Sequence, residues 1–512
     1  MRAEARPEGR RGGRRPDKTI FGVPERFEKP RLTLYVVPFA LFAFGLLMIY
    51  SSSSIVALTS EATGHNPTYY LMRQAGFGAV GILFALIIAR VDYHIWSHRL
   101  LVLLWIVTTA MLALVIFTAS GSDAYGATRW FQLGPFRLQP SEFAKVTIVL
   151  TAANLCQRYF DEGSLEWREF LLLGIVGVGL PVLLILVQPD KGSTMICGAT
   201  VLVMLYLSGV PGRFVIALFI LAFALMLAWS IRDDYSRARI LTVFNPWADR
   251  YGDGYQLIQG FYAFGSGGLF GVGIGASRQK YSYLPMAYND FIFAVIGEEC
   301  GLIGTLGVLA AFTLLVWAGF RIARYAPDLS GRLIAAGSVS MLAIQLLVNI
   351  CGVLGVMPLS GKPVPFLSYG GSSIISCLML VGMVASVSRA SYLEETESDA
   401  RRRDISLTGS LRRDGSDDGS GFVGEPRPRS ARPGAAVSAP RLTLVDGGET
   451  KGRSVPRPVP RPTPLARQDR APRGRITTDA SGHRRIDLGP DAADRLRGAR
   501  SSSGGRDGRN GR

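Results

Sequence analysis

Ten apolar runs, most of them close to the length that crosses a bilayer, dominate this 512-residue chain. They lie at about 33–50, 71–90, 100–118, 142–156, 171–187, 193–208, 213–230, 288–320, 332–357 and 370–389. In hydrocarbon the backbone has no water to bond, so each run must close its own hydrogen bonds, and a helix of about 20 residues does this across the full membrane depth. The fold class expected is an all-α integral membrane protein of ten transmembrane helices. The fourth and sixth runs are short and suit tilted, partly buried or re-entrant segments, whereas the long eighth run begins outside the hydrocarbon. The first run follows a basic arm and ends in four serines with no A-x-A cleavage pattern. It reads as a retained span rather than a signal peptide.

The net charge of +17 sits mostly at the two ends, with Arg10, Arg11, Arg14 and Arg15 near the start and an arginine series after Arg401. The N-terminal arm, the 90–99 turn, the 158–168 loop, Arg213, the 321–332 loop and the tail fall on one face. The positive-inside rule makes that face cytoplasmic, with both termini inside. The tail carries no folded recognition motif, so nucleic acid is set aside as a partner. Residues 1–31 form a basic arm and 391–512 a Pro-, Gly-, Ser- and Arg-rich tail. Neither carries enough apolar surface to offset its chain entropy, so both are expected to be disordered around a 32–390 membrane core. The PRPVPRPTP stretch at 456–464 reads as a polyproline spacer. Cys156, Cys197, Cys300, Cys351 and Cys377 form no CxxC pair and read as small buried hydrophobes, and the scattered histidines suggest no metal site.

Between the seventh and eighth runs lies a polar stretch, about 235–290, far too long for a simple connector. It faces outward by the charge rule, yet it keeps Arg237, Arg239, Arg250, Arg278 and Lys280, which break the bias and suggest an anionic ligand outside. Arginine forks onto phosphate oxygens, aromatic faces stack on sugar rings, and a carboxylate such as Asp249 takes a proton from a hydroxyl. The GSGGLFGVGIG segment at 265–275 lacks the pattern of a nucleotide-binding loop. It reads as a tight backbone path with N–H groups available to an anion.

Ionisable residues inside spans are functional hypotheses by default. Glu142 and Lys145 share one face of the fourth run at i, i+3, either as an internal salt bridge or as a polar wall beside the substrate loop. In QPDKGS, Asp190 and Lys191 fit a tight outer turn. Glu298 and Glu299 open the eighth run, one suited to a basic partner and the other to a polar cavity.

These motifs together resemble the SEDS family of bacterial membrane proteins, which covers FtsW, RodA and the sporulation relative SpoVE. The matching stretches are TRWFQLGPFRLQPSEFAK, QPDKGS, FNPWADRYGDGYQLIQ, AFGSGGLFGVGIG, RQKYSYLP, NDFIFAVIGEECGLIG and PFLSYGGSS, in family order across about 32–390. The resemblance implies a ten-helix peptidoglycan glycosyltransferase that polymerises lipid II on the outer face of the cytoplasmic membrane. Its implied partners are a class B penicillin-binding protein transpeptidase and other membrane proteins of the divisome. NPWAD, RQKYSYLP and the charged tail favour the division branch, FtsW, over the elongation branch, RodA. The family's essential loop carboxylate falls on Asp249. Substrate contacts are expected at Glu142, Lys145, Arg237, Arg239, Trp247, Tyr255, Gln256, Lys280, Asp290, Glu298 and Ser368. Where the family commonly reads LPExHTDF, this chain reads LPMAYNDF, with Met286, Tyr288 and Asn289 but with Asp290 retained. Lys191 and Ser193 also depart from the family's QPDLGT-like turn.

Joining two lipid II sugars requires a base for the attacking hydroxyl and a cationic cradle for the departing pyrophosphate. Asp249 is the expected base, with partial desolvation beside Trp247 to raise its basicity, and Arg237, Arg239 and Lys145 are the expected cradle. No cofactor is required outright. A divalent cation, Mg or Mn, bridging the diphosphate with Asp249 as ligand is the one alternative that stands. A lipid II flippase and a structural scaffold are the rival classes. A flippase needs polar groups along the full membrane depth and no catalytic carboxylate in an outer loop.

Overall fold

The computed structural model describes residues 19–20, 23–118, 129–133, 136–281, 283–391, 475–478 and 484–487. Most of the expected disordered arm and tail therefore lies outside the described residues. The chain divides into two compact units, 1–419 and 420–512. In the second, Arg475–Thr478 pairs antiparallel with Arg484–Asp487, setting Arg475 against Asp487 and Ile476 against Ile486. The composition of the tail predicts no such hairpin.

In the first unit the apolar runs all become helices. They are α1 (Glu25–Thr59), α2 (Tyr69–Arg90), α3 (Leu101–Thr118), α4 (Pro140–Cys156), α5 (Trp167–Gly174) and α6 (Leu180–Val187). There follow α7 (Lys191–Ser208), α8 (Gly212–Arg232), α9 (Asp234–Phe244), α10 (Tyr255–Gly267), α11 (Ile292–Arg324), α12 (Leu329–Val353) and α13 (Gly371–Ala390). A π-helical turn, Ile175–Gly179, joins α5 and α6 into one rod. Among the described residues, eight helices are long and apolar enough to cross a membrane. α3 is at the short end, and α4 is 17 residues long and carries Glu142 and Lys145.

Burial sorts these helices. Four-fifths of the apolar stretch of α12 and of α13 is covered by protein, and none of that of α8. α4, α12 and α13 therefore form the centre, and α8 presents its leucines and phenylalanines outward, as a lipid-facing helix does. Where α2 meets α13, glycines let the backbones approach. A Cβ on Gly81 would come within 3.2 Å of the Ile375 Cα, and one on Gly382 within 2.8 Å of the Ala85 carbonyl oxygen.

The two ends of the bundle differ. At one end Arg31 donates to Ser388, Tyr93 Oη to Asp328 at 2.6 Å, and the Ser330 N–H to Gln157. At the other end lie the 129–139 segment, the α6–α7 turn, everything from 233 to 291, and the 354–370 loop. This second end is the loop end of the bundle.

The long polar stretch is not an irregular loop. It holds α9, a 3-10 turn at Pro246–Asp249, and α10, whose Leu257, Ile258 and Ala263 are buried. The glycine cluster after α10 also has a role other than the one its composition suggests. α11 breaks at Gly301, with φ 66° and ψ −163°. Val272 and Gly273 donate their N–H groups to the Glu298 and Glu299 carbonyls at 2.9 and 3.0 Å, and Leu302 and Ile303 donate to the Gly268 and Leu269 carbonyls at 3.0 and 3.2 Å. The glycine segment thus plugs the break and satisfies the backbone groups it frees, which hydrocarbon would leave unpaired. Glycine is needed for contact this close, because a Cβ on Gly271 would sit 2.2 Å from the Glu299 carbonyl oxygen. The N–H groups of Gly271, Val272 and Gly273 are therefore committed, and they are not an anion nest.

Candidate functional site at the loop end

α4 begins with Pro140 at its first turn, which fixes φ for helix entry. Its next residues place Glu142 and Lys145 inward, each about 1% exposed. Lys145 Nζ donates to both Glu142 carboxylate oxygens at 2.8 and 2.7 Å and to Gln345 Oε1 of α12 at 2.7 Å. Ser376 Oγ of α13 donates to Glu142 Oε2 at 3.0 Å. The pair faces the central helices, so the salt-bridge alternative is realised in a wall of polar side chains and not on a lipid face.

A second buried hub sits beside it. Asp190 caps α7 by accepting the Ser193 N–H at 3.1 Å, the turn role its sequence suggests. Its Oδ2 also accepts Gln139 Nε2 and Ser141 Oγ at 3.0 Å each and Lys362 Nζ at 2.7 Å. Burial alone would raise this carboxyl, but the Lys362 ammonium, then Arg129, hold it well below the ordinary carboxylate range. Lys362, 2% exposed, is a residue that sequence reasoning missed. A lysine in an otherwise apolar outer loop was its only signal. Asp290 has the opposite balance, since burial pushes it above the usual range and Arg239 and Lys362 only partly oppose the rise.

α9 carries two of the expected cations. Arg237 is exposed, and Arg239 donates to the Leu359 carbonyl at 2.8 Å. Lys191 Nζ pairs with Asp233 Oδ2 at 2.8 Å and donates to Ser236 Oγ, tying the start of α9 to the α6–α7 turn.

Asp249 ends the 3-10 turn and is exposed. Its Oδ1 accepts the Gly252 N–H at 3.0 Å and its Oδ2 the Asp253 N–H at 3.1 Å. Gly252 lies so close that a Cβ there would meet Oδ2 at 2.2 Å. The desolvation expected beside Trp247 is not built in, because Trp247 is itself half exposed. Tyr255 and Gln256, on the first turn of α10, are partly buried.

Three further expected substrate residues have internal partners in this structure. Lys280 donates to the Gly275 carbonyl and lies 3.8 Å from Glu299. Glu298 accepts Ser277 Oγ at 2.5 Å and the Arg278 N–H at 2.9 Å. Ser368 Oγ accepts the Val364 N–H at 2.8 Å. Tyr288, one of the departures from the family pattern, packs its ring 4.6 Å from Tyr70 and 5.9 Å from Tyr369. Among the described residues, no three His, Cys, Asp or Glu side chains gather as metal ligands. Asp249, a lone carboxylate whose two oxygens already accept N–H groups, does not make a protein-built metal site.

With this geometry in hand, the comparisons with known proteins converge. Residues 31–393 match the family described as cell cycle protein, FTSW_RODA_SPOVE. The chain is similar to a probable peptidoglycan glycosyltransferase FtsW of Trichlorobacter lovleyi, 38% identical over 369 residues, which span 72% of this chain and 96% of the relative. It is equally similar to stage V sporulation protein E of Bacillus subtilis, 38% identical over 363 residues, or 71% and 98% of the two chains. Among solved structures it resembles a peptidoglycan synthase complex described as coordinating polymerization and crosslinking. That likeness has 31% identity and a TM-score of 0.54, over 70% of this chain and 98% of the other. The rod shape determining protein RodA of Thermus thermophilus is 28% identical with a TM-score of 0.50, over 70% and 97%.

Proposed function

The chain belongs to the FtsW, RodA and SpoVE family of cell cycle proteins and is a peptidoglycan glycosyltransferase, and from that premise we propose that it polymerises lipid II at the loop end of its bundle. That end faces outward across the cytoplasmic membrane, ten helices span the bilayer, and both termini lie inside, in keeping with the charge bias of the connecting segments. The catalytic core is 32–390. Division is the setting.

One observation carries this reading. Among the described residues, the three buried lysine–carboxylate pairs, Lys145–Glu142, Lys280–Glu299 and Lys362–Asp190, all lie in the loop-end half of the first unit, the half that also presents Asp249. A flippase would distribute such groups along the whole depth. A transferase working on a lipid-linked sugar diphosphate concentrates them where the headgroup sits.

In the proposed reaction the acceptor hydroxyl gives its proton to Asp249 as its oxygen attacks the anomeric carbon of the donor sugar. The bond from that carbon to the phosphate oxygen breaks, and the polyprenyl diphosphate leaves with inversion. Arg237 and Arg239 meet the diphosphate, and Trp247, Tyr255 and Gln256 meet the sugars. Lys145, Glu142, Asp290, Lys280, Glu298 and Ser368 shape the polar floor. Asp249 is reached from solvent without displacing a side chain, and the substrate itself supplies the desolvation. A class B penicillin-binding protein takes up the strand for crosslinking.

The test is Asp249→Asn in the purified, membrane-inserted protein with its penicillin-binding partner. Loss of glycan-strand synthesis by about 10²–10⁴-fold is expected, the range for a general base, with lipid II binding retained. Near wild-type polymer would rule the assignment out.

A further inference from the structure

Beside Asp249 the chain exposes aromatic rings that are neither packed nor loose. Trp247 is 48%, Tyr262 47% and Tyr251 86% exposed. The Trp247 and Tyr262 rings meet edge to face at 6.1 Å. The Arg250 guanidinium lies over both Trp247, at 5.9 Å, and Tyr251, at 5.7 Å. The backbone beneath is held by the two N–H bonds to Asp249 and by a close approach at Gly254, where a Cβ would lie 2.0 Å from the Pro246 carbonyl oxygen. Trp247 and Tyr262 therefore hold each other, the Arg250 guanidinium links Trp247 to Tyr251, and the ring faces stay open.

We propose that Trp247, Tyr251 and Tyr262, with Arg250, form a track that holds the sugar chain of the growing glycan strand beside Asp249. The inference rests on the glycosyltransferase reading above and adds to it a binding site for the polymer. Three observations select this occupant. Flat, open aromatic faces suit the apolar faces of pyranose rings, and Trp and Tyr supply contact area at little cost in conformational entropy. Arg250 complements the carboxylates that peptidoglycan stem peptides carry along the strand. Trp247 and Tyr251 lie within two residues of the proposed base, and Tyr262, on α10, joins them through the Trp247 ring, so a strand lying on the rings runs up to the reacting hydroxyl. An aromatic anchor in the membrane interface would need the apolar rings and the polar edges, but not a guanidinium seated over two of them next to a carboxylate.

Two substitutions separate stacking from mere apolarity. Tyr251→Leu and Tyr262→Leu keep greasy surface for a lipid interface and remove the flat ring, whereas Tyr251→Phe and Tyr262→Phe keep the ring. The purified, inserted protein with its penicillin-binding partner is assayed for strand length and for binding of a soluble, lipid-free peptidoglycan oligosaccharide. The double Leu variant is expected to bind that oligosaccharide about tenfold more weakly, equivalent to roughly 1.4 kcal/mol, and to make markedly shorter strands. The double Phe variant is expected to restore both. Asp249→Asn is expected to lose polymer yet keep oligosaccharide binding, so failure of the base assignment and failure of the track are read separately. Unchanged oligosaccharide binding in the double Leu variant overturns the proposal. So does a strand-length defect that comes only with loss of the penicillin-binding partner, which would make the patch a protein-docking surface.

Discussion

Lys145→Met is the sharpest test of how the polar floor is held. All three ammonium hydrogens of Lys145 are spent, two on Glu142 and one on Gln345. Methionine matches the stem in length and removes the charge. Glu142, about 1% exposed, would keep only the Ser376 hydroxyl at 3.0 Å, and Gln345 Oε1 would lose its donor. Breaking a buried pair from one side costs about 3–5 kcal/mol, mostly because a charge is left without compensation. The orphaned amide oxygen adds about 1–3 kcal/mol. Local rearrangement and protonation of Glu142 limit the sum, so a loss of about 4 kcal/mol is expected, a large part of the ~5–15 kcal/mol that stabilises a typical domain. Glu142→Gln combined with Lys145→Met removes both charges and should recover more than half of that loss, a coupling read directly from a double-mutant cycle. The assay is thermal unfolding of the detergent-purified protein, with polymerisation measured below each variant's melting point. An unchanged melting point for Lys145→Met, or a double mutant no better than the single, would refute the energetic reasoning. A double mutant that is both stable and fully active would show that the pair is structural and has no part in handling substrate.

Further outcomes follow from other parts of the molecule. Asp190 is held below the ordinary carboxylate range in the folded protein, so its contribution to stability is present at neutral pH and is lost as pH falls through that depressed value. Lys362→Met removes the largest opposing influence on burial, raises the Asp190 carboxyl, and should move acid destabilisation to higher pH in melting curves recorded across pH. An unmoved acid limb would mean that the Lys362–Asp190 pair does not form. Gly271→Ala places a methyl group against the Glu299 carbonyl at φ +81° and should destabilise by about 2–4 kcal/mol in the same melting assay. A neutral effect would deny that the glycine segment plugs the α11 break. Truncation after about Leu393 should leave strand synthesis by the purified complex largely intact, and loss of synthesis in a truncated protein that still inserts would give the tail a catalytic role.

Much of this protein is legible locally. Every apolar run read from the sequence becomes helix, most of them within a few residues of the expected bounds, because span length and helix stop signals are properties of neighbouring residues; α1 is the exception, running Glu25–Thr59 against an expected 33–50. The tight turn at Asp190 is equally legible, though the structure adds that Asp190 caps α7. The i, i+3 spacing put Glu142 and Lys145 on one face, but only the packing of α12 and α13 against α4 decided that Gln345 and Ser376 complete their bonding. The glycine cluster invites a reading as an anion nest, yet the Gly271 N–H bonds back to Gly267 and those of Val272 and Gly273 go to the Glu298 and Glu299 carbonyls at a helix break remote along the chain. Helical periodicity does not reveal that break, because Gly301 lies within a run that reads as one continuous span despite Glu298 and Glu299. Lys362 and Asp190 are 172 positions apart and meet only when the 354–370 loop folds over the α6–α7 turn. Periodicity and composition act over a turn or two of helix and so determine which segments enter the membrane. Which buried charge finds which partner is decided by helices remote in sequence, because in a low-dielectric interior an ion is stable only where the assembled fold brings its counter-charge within a few ångströms.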